Sequence, residues 1–290
     1  MARFSLLLVL THCLRLWKSL DFRRESLILA IWYCADLKMQ MNLASVAAMV
    51  NHIPKYKTLV VLAERERHDL REELNRFPCV RVSINGTPDN LAALSDHPEI
   101  KEVSLRSCDL LDFSALLGLS RLRRLDVAFG PLSSLELSFC SSTLEFLALS
   151  RLRQLKDLST LPLLPNLERL AVTHIHAFAP PDFRMFPNLR QLSIWNTDWQ
   201  SLNWLVHLPH LETLHISQIK VEDKDWKPIL GLKRLRHLHG MQNVFRSSAR
   251  KEFVQLRPDV RVDQGIPVDL EKHPQTKEFL EELSEKRTAK

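Results

Sequence analysis

From residue 79 to residue 263 apolar side chains recur at the first, fourth and sixth positions of a unit that restarts every 21 to 24 residues. Leu189/Leu192/Ile194 is one copy. Upstream copies are Leu167/Leu170/Val172, Leu144/Leu147/Leu149, Leu122/Leu125/Val127 and Ile100/Val103/Leu105, with Cys79/Val82/Ile84 a weaker one and Tyr56/Leu59/Val61 weaker still. Downstream come Leu211/Leu214/Ile216 and Leu235/Leu238/Gly240, and Arg257 with Val260 and Val262 closes the series. Such a period marks a repeat architecture, each unit lending its apolar face to the next. Alternation around the fourth and sixth positions predicts a short strand with the third, fifth and seventh residues on the opposite face.

The second half of each unit is equally regular. Leu110, Phe113, Leu116 and Leu119 follow Ile100 at the offsets at which Trp199, Leu202, Leu205 and Leu208 follow Leu189. Spacing of three suits tight turns or 3₁₀ segments, whose side chains align at i and i+3. A unit this short leaves little room for an α-helix. Pro165, Pro187 and Pro209 each stand two residues before a first leucine, where extended backbone is wanted. Before the repeats, "ERERHDLREELNRF" (64–77) puts Leu70, Leu74 and Phe77 on one helical face. The expected organisation is an amino-terminal extension (1–52), a strand-helix cap (53–78), eight to nine repeats (79–265) and a charged, weakly helical or disordered tail (266–290).

These residues resemble the leucine-rich repeat family, in its 22-residue class known from internalins and a regulatory subunit of protein phosphatases. The resemblance implies an α/β solenoid: a curved parallel sheet on the concave face, 3₁₀ or turn segments on the convex face and a helical amino-terminal cap. It also implies asparagine at the ninth position, hydrogen-bonding between turns. Here that column reads Thr87, Cys108, Gly130, Leu152, Ile175, Thr197, Ile219 and Asn243, so local irregularity is expected near Gly130-Pro131 and in the 24-residue unit holding "VEDKDWKPILGL".

Down the strand face away from the core, small residues occupy the middle and large ones stand off-centre. The third column includes Arg81, Arg124, Phe146, Arg169 and His237; the fifth includes Asp126, His215 and His239. The seventh includes Arg106, Trp195 and Met241, and the eighth Phe129, Arg151, His174, Asn196 and Gln218. Folding requires no large side chain at these positions, while exposed tryptophan, phenylalanine and arginine are typical interface anchors. The candidate partner-binding set is therefore Phe129, Phe146, Arg151, His174, Trp195, Asn196, His215, Gln218 and His239. Trp199, in an inward slot, is assigned to the core. A second reading takes His215, His237 and His239, with Asp259 and Asp263 beyond them, as metal ligands or a catalytic cluster. Column neighbours project side by side rather than converging, which disfavours it.

Composition narrows the function classes. No nucleophile constellation, phosphate-cradling glycine loop or paired-carboxylate cleft is present, so the expected role is non-catalytic and without cofactor: binding one protein, as a monomer. Net charge is +6, which permits an acidic partner. The basic runs "SRLRRL" and "KRLRHLH" raise a third reading, an adaptor for nucleic acid or a membrane surface. In the second column, however, Arg123, Arg190 and Arg236 alternate with Glu145, Glu168 and Glu212, whereas phosphate tracking wants uninterrupted positive charge. Five cysteines without a CxxC pair favour a reducing compartment, hence a cytoplasmic setting. Export is the alternative, because Arg3 precedes the apolar run Phe4–Leu10. Apolar runs at the amino terminus fall short of the ~20 residues of a membrane span.

Overall fold

The computed structural model describes residues 52–53, 57–63, 69–176, 180–197, 199 and 201–263. The amino-terminal extension, the first part of the expected cap helix (64–68) and the tail beyond 263 lie outside these residues. One sheet of eleven strands runs through the described chain in strict sequence order. Its strands are β1 (His52–Ile53), β2 (Thr58–Leu62), β3 (Arg81–Asn85), β4 (Glu102–Arg106), β5 (Arg124–Ala128), β6 (Phe146–Ser150), β7 (Arg169–Thr173), β8 (Gln191–Trp195), β9 (Thr213–Ser217), β10 (His237–His239) and β11 (Arg261–Asp263). β1 is antiparallel to β2, and every later pairing is parallel. From β2 to β10 the registers put third position beside third and fifth beside fifth, as in Arg124 against Phe146 and Asp126 against Ala148; at β11 the expected frame counted from Arg257 is wrong by two residues, His237 pairing with Arg261 and Leu238 with Val262. This is the leucine-rich repeat solenoid that the resemblance implies.

The apolar pattern explains the core coil by coil. Ile100, Leu122, Leu144, Leu167, Leu189 and Leu211 are buried, as are their strand partners Leu125, Leu147, Leu170, Leu192 and Leu214. Return segments close the coil from the other side. Leu110, Phe113, Leu116 and Leu119 are buried, and so are Trp199, Leu202, Leu205 and Leu208. Short 3₁₀ segments carry them at Ser114–Leu116, Phe183–Met185, Asn203–His207 and Lys227–Gly231. Around Gly130-Pro131 the return segment is irregular until Ser138–Cys140, yet Leu132, Leu135 and Leu137 still point inward. Behind β8 the packing is aromatic: Phe183 stacks on Trp204 at 4.4 Å, and Trp199 meets both edge-on at 6.0 and 5.5 Å.

Among the described residues two α-helices flank the regular coils. Helix α1 (Leu70–Arg76) starts at Asp69, whose carboxylate accepts from the Arg71 and Glu72 amides, and it buries Leu70 and Leu74. Helix α2 (Ser247–Leu256) occupies a return segment where spacing of three predicted only turns. Phe245, Ala249 and Phe253 are buried at intervals of four, which is the α-helical period. Arg257, just beyond the helix, closes the coil with polar contacts. Its guanidinium donates to the Leu230, Leu232 and Leu235 carbonyls and pairs with Asp259 at 2.9 Å.

The expected asparagine ladder is replaced piecemeal. The Cys108 thiol donates to the Gly86 carbonyl one coil back, while Leu152, Ile175 and Ile219 fill the same column with apolar bulk. Thr197 is buried with its hydroxyl unpartnered. Asparagines instead bridge the coils at the strand entrance: Asn166 Nδ2 donates to the Ser142 carbonyl, and Asn188 Nδ2 to that of Pro165. Asn243, the one match to the family residue, is exposed and donates to Ser217 Oγ. Its inward place is taken by Met241, which is fully buried rather than on the open face.

Candidate interaction face

The open face of the sheet carries the candidate residues in two distinct settings. Phe146, Trp195, His215 and His239 belong to strands, so alternation alone turns them outward. Phe129, Arg151, His174, Asn196 and Gln218 follow the last strand residue. With Gly86 and Ser107 they form a column of left-handed residues, φ lying between 50° and 85°. One such residue ends each strand from β3 to β9. Bulky L-residues avoid this conformation, at a cost of roughly 1–2 kcal/mol each. The neighbouring coil imposes it: the amides of Ser107, Phe129, Arg151, His174 and Asn196 donate to the Ala128, Ser150, Thr173, Trp195 and Ser217 carbonyls at 2.7–3.1 Å. The column therefore forms a rim where the strands end, not a floor.

Along this rim aromatic and cationic groups interleave. The Phe129 ring lies between two guanidiniums, Arg106 at 5.1 Å and Arg151 at 4.9 Å. His174 tilts against Trp195 at 5.4 Å, and Trp195 Nε1 donates to Gln218 Oε1 at 2.9 Å. Trp195 nonetheless stays 41% exposed and Phe129 37%, so neither is spent on covering the core. Burial, reinforced by Arg151 and His176, lowers the His174 imidazole below its ordinary value, and its Nδ1 has no partner. Asn196 shares the rim without joining these contacts.

On the entry side of the strands Phe146 carries the Arg124 guanidinium over its ring, Cζ standing 3.7 Å from the centroid. Arg106 and Arg124 were not in the sequence-derived set. The signal for both was present: each arginine stands one coil before a phenylalanine in the same or an adjacent column. Between rim and entry side lie Ala128, Ala148, Ser150, Ala171 and Thr173, and Thr173 Oγ1 donates to Ser150 Oγ at 2.8 Å. Asp126 sits half-buried among them. Burial raises its carboxyl against the opposing pull of Arg124 and Arg106.

The histidines gather at the other end of the face. The His215 and His239 rings stand 5.9 Å apart, and His237 lies parallel to His239 at 6.3 Å. Burial and His239 together lower the His215 imidazole. Asp259 is engaged by Arg257, and among the described residues no group of three or more His, Cys, Asp or Glu is placed to hold a metal. Within the second-column stripe Arg123 pairs with Glu145 at 3.5 Å and Arg190 with Glu212 at 3.2 Å, each across one coil. Cys79, Cys108 and Cys140 are buried free thiols, and burial pushes Cys79 up to about 11 and Cys140 up to about 12.

No protein-family model matches the chain, and no curated protein matches it. Solved structures do. An internalin from Listeria monocytogenes str. 4b F2365 aligns with a TM-score of 0.54 at 18% identity, over 73% of this chain and 67% of that one. TLR13 in its complex with ssRNA13 aligns with a TM-score of 0.50 at 16% identity, over 77% of this chain and 38% of that one. A leucine-rich repeat protein of Leptospira interrogans aligns at 0.49 and 19%, over 66% of this chain and half of its own. At these identities the shared property is the leucine-rich repeat fold. Among the described residues no helix is long and apolar enough to cross a membrane.

Proposed function

We propose that this leucine-rich repeat solenoid is a non-catalytic recognition scaffold that binds a protein partner on the open, concave side of its sheet, as a monomer in the cytoplasm. One observation carries the reading: the row Arg106, Phe129, Arg151, His174, Trp195 and Gln218 at the strand ends. Leucines inside the coil hold the fold together, so these large groups add nothing the core needs. Several of them also occupy a backbone conformation that smaller residues would adopt more cheaply, and such outliers cluster at functional sites. Trp195 is held by His174 and Gln218 before any partner arrives, so little side-chain entropy is lost on binding. Tryptophan and arginine in that state are the residues on which interface energy concentrates.

The test is affinity capture with the full chain, followed by titration of the isolated partner against wild type, Trp195→Ala and Phe129→Ala. Each substitution is expected to weaken binding by about 2 kcal/mol or more, with thermal stability little changed. Unchanged affinity in both variants would place the interface elsewhere.

A further inference from the structure

The return side of the solenoid carries a groove that recognition on the open face does not use. It runs between the 3₁₀ segments Asn203–His207 and Lys227–Gly231 of successive coils and encloses about 490 Å³. Leu205, Leu208 and Leu232, all buried, form its floor, and Val206, Pro209 and Pro228 stand along it. At 75% exposure Val206 is the most open large apolar side chain among the described residues.

Gly231 keeps this groove open. Four residues before the first leucine of the next unit, other return segments carry Asp96, Cys140, Leu163, Met185 and His207, or glycine at Gly118. At Gly118 the choice is forced, because a Cβ would stand 1.8 Å from the Ser95 carbonyl oxygen. At Gly231 a Cβ would meet nothing within 4 Å, and φ is not positive. Neither crowding nor backbone conformation requires glycine there, and glycine in a helical segment costs entropy on folding. Its missing side chain provides room between the coils. Cations border that room. Lys227 begins one 3₁₀ segment and Lys233 follows its end, both exposed and both lining the groove, while no carboxylate lines it. Asp225 turns its carboxylate to the Lys227 amide at 2.9 Å, and among the described residues neither ammonium is ion-paired.

We infer that this groove docks a short extended segment of a partner protein in which apolar side chains are flanked by carboxylates. At a rise of ~2 Å per residue the Lys227 and Lys233 backbones stand about 12 Å apart, a span that about three to four residues of extended peptide cover. The segment therefore reads acid, apolar, apolar, acid. Its apolar pair drops over Gly231 onto the leucine floor, where burial supplies most of the affinity. Its carboxylates meet the two ammoniums in charge-assisted hydrogen bonds. An anionic membrane fits less well: a lipid-binding patch gathers roughly four to eight basic residues, and the apolar floor here is recessed between two coils rather than raised. The groove is a second docking surface, separate from the open face and independent of it.

Anisotropy titration of the full chain against a fluorescein-labelled peptide, Gly-Ser-Glu-Leu-Leu-Glu-Ser-Gly, tests this. One twin carries glutamine for both glutamates, another alanine for both leucines. The parent peptide is expected to bind with a Kd below about 1 mM, the glutamine twin about threefold or more weakly and the alanine twin about tenfold or more weakly. Gly231→Leu fills the groove and is expected to abolish binding with no fall in melting temperature. Val206→Glu, at an exposed position that the core does not need, is expected to give the same loss. The double variant Lys227→Gln with Lys233→Gln should weaken the parent about threefold or more and leave the glutamine twin unchanged. Arg184→Gln removes a positive charge one coil away and is expected to have no effect. Equal affinity for either twin, indifference to both Gly231→Leu and Val206→Glu, or no saturable binding up to about 1 mM would overturn the assignment. Self-association in sedimentation velocity that Gly231→Leu removes would overturn it in favour of a second copy of this chain. Capture on phosphatidylserine vesicles that the same variants remove would overturn it in favour of a lipid surface. Peptide binding abolished by Trp195→Ala and spared by Gly231→Leu would remove the groove and leave open-face recognition standing.

Discussion

The coils around β5 to β8 and the coil of β10 obey the same leucine spacing, yet they turn out of the sheet differently. In the central coils five strand residues are followed by a left-handed residue of ordinary bulk: Phe129, Arg151, His174 or Asn196. In the β10 coil only three residues pair, and the left-handed position comes two residues early at Gly240, with φ of 80°. A Cβ there would stand 1.9 Å from the Ile216 carbonyl oxygen. The early turn also drives Met241 into the core instead of onto the open face. Where the turn comes late, large side chains are displayed; where it comes early, one is consumed as packing. Display is thus a property of the turn as much as of the residue.

The sharpest way to break this contrast is Gly240→Ala. Backbone contact at that distance cannot be relieved by a rotamer change, and the positive φ adds strain. A loss of about 3 kcal/mol or more is expected in denaturant unfolding. Gly130→Ala is the matching change in the central region. Its Cβ would meet the Cys108 carbonyl oxygen at 3.1 Å and the Leu152 side chain at 3.9 Å, and its φ is not positive. A change below about 1 kcal/mol is expected there. Equal losses at the two glycines would mean that the early turn is not what distinguishes the β10 coil.

A smaller effect probes the central turn itself. Ser107 has φ of 52°, is exposed, and begins the run of non-glycine left-handed residues that follows Gly86. Ser107→Gly relieves steric strain but enlarges the freedom of the unfolded chain, so a net gain of up to about 1 kcal/mol is expected in the same unfolding measurement. A clear loss would show that the cross-coil hydrogen bonds hold the rim without strain, and the argument that its bulky residues are kept for binding would lose its energetic half.

What was legible in the sequence follows from which interactions are local. Ile100, Leu122 and Leu144 recur in register because every coil needs the same inward volume, and the sequence shows that need directly. Trp199 could be assigned to the core, and Trp195 to the outside, by counting from Leu189. The left-handed column could not be read this way. Phe129, Arg151 and His174 have no local preference for positive φ, and the conformation comes from carbonyls one coil away. Met241 and Asn243 were misplaced for a related reason: their columns were counted as though Gly240 continued the strand. Helix α2 was missed because the spacing-of-three rule was carried past the point where Phe245, Ala249 and Phe253 change it to four. The pairing of Arg124 with Phe146 lay in the columns all along, but it gains meaning only once register places the two side by side.

The least of the expected effects separates the two ends of the open face by pH. His215 lies beside His239 in the β9–β10 region, and burial first, then that neighbour, lowers its imidazole below the ordinary value. In the unfolded chain the same group titrates near ~6.5. As pH falls through that range the unfolded chain takes up a proton that the folded chain resists, so the unfolded state binds more protons and stability falls with pH. The loss begins around pH ~6.5 and levels off once the folded-state imidazole protonates in its turn. His174 in the central coil is lowered as well, by burial and then by Arg151 and His176, so the native protein is expected to lose stability from both places. His215→Gln should flatten part of the slope measured by thermal melting between about pH 7.5 and pH 5, and His174→Gln a different part. If His215→Gln leaves the slope untouched while His174→Gln abolishes it, the histidine cluster is solvated, and only the rim histidine belongs to a dry, preorganised surface.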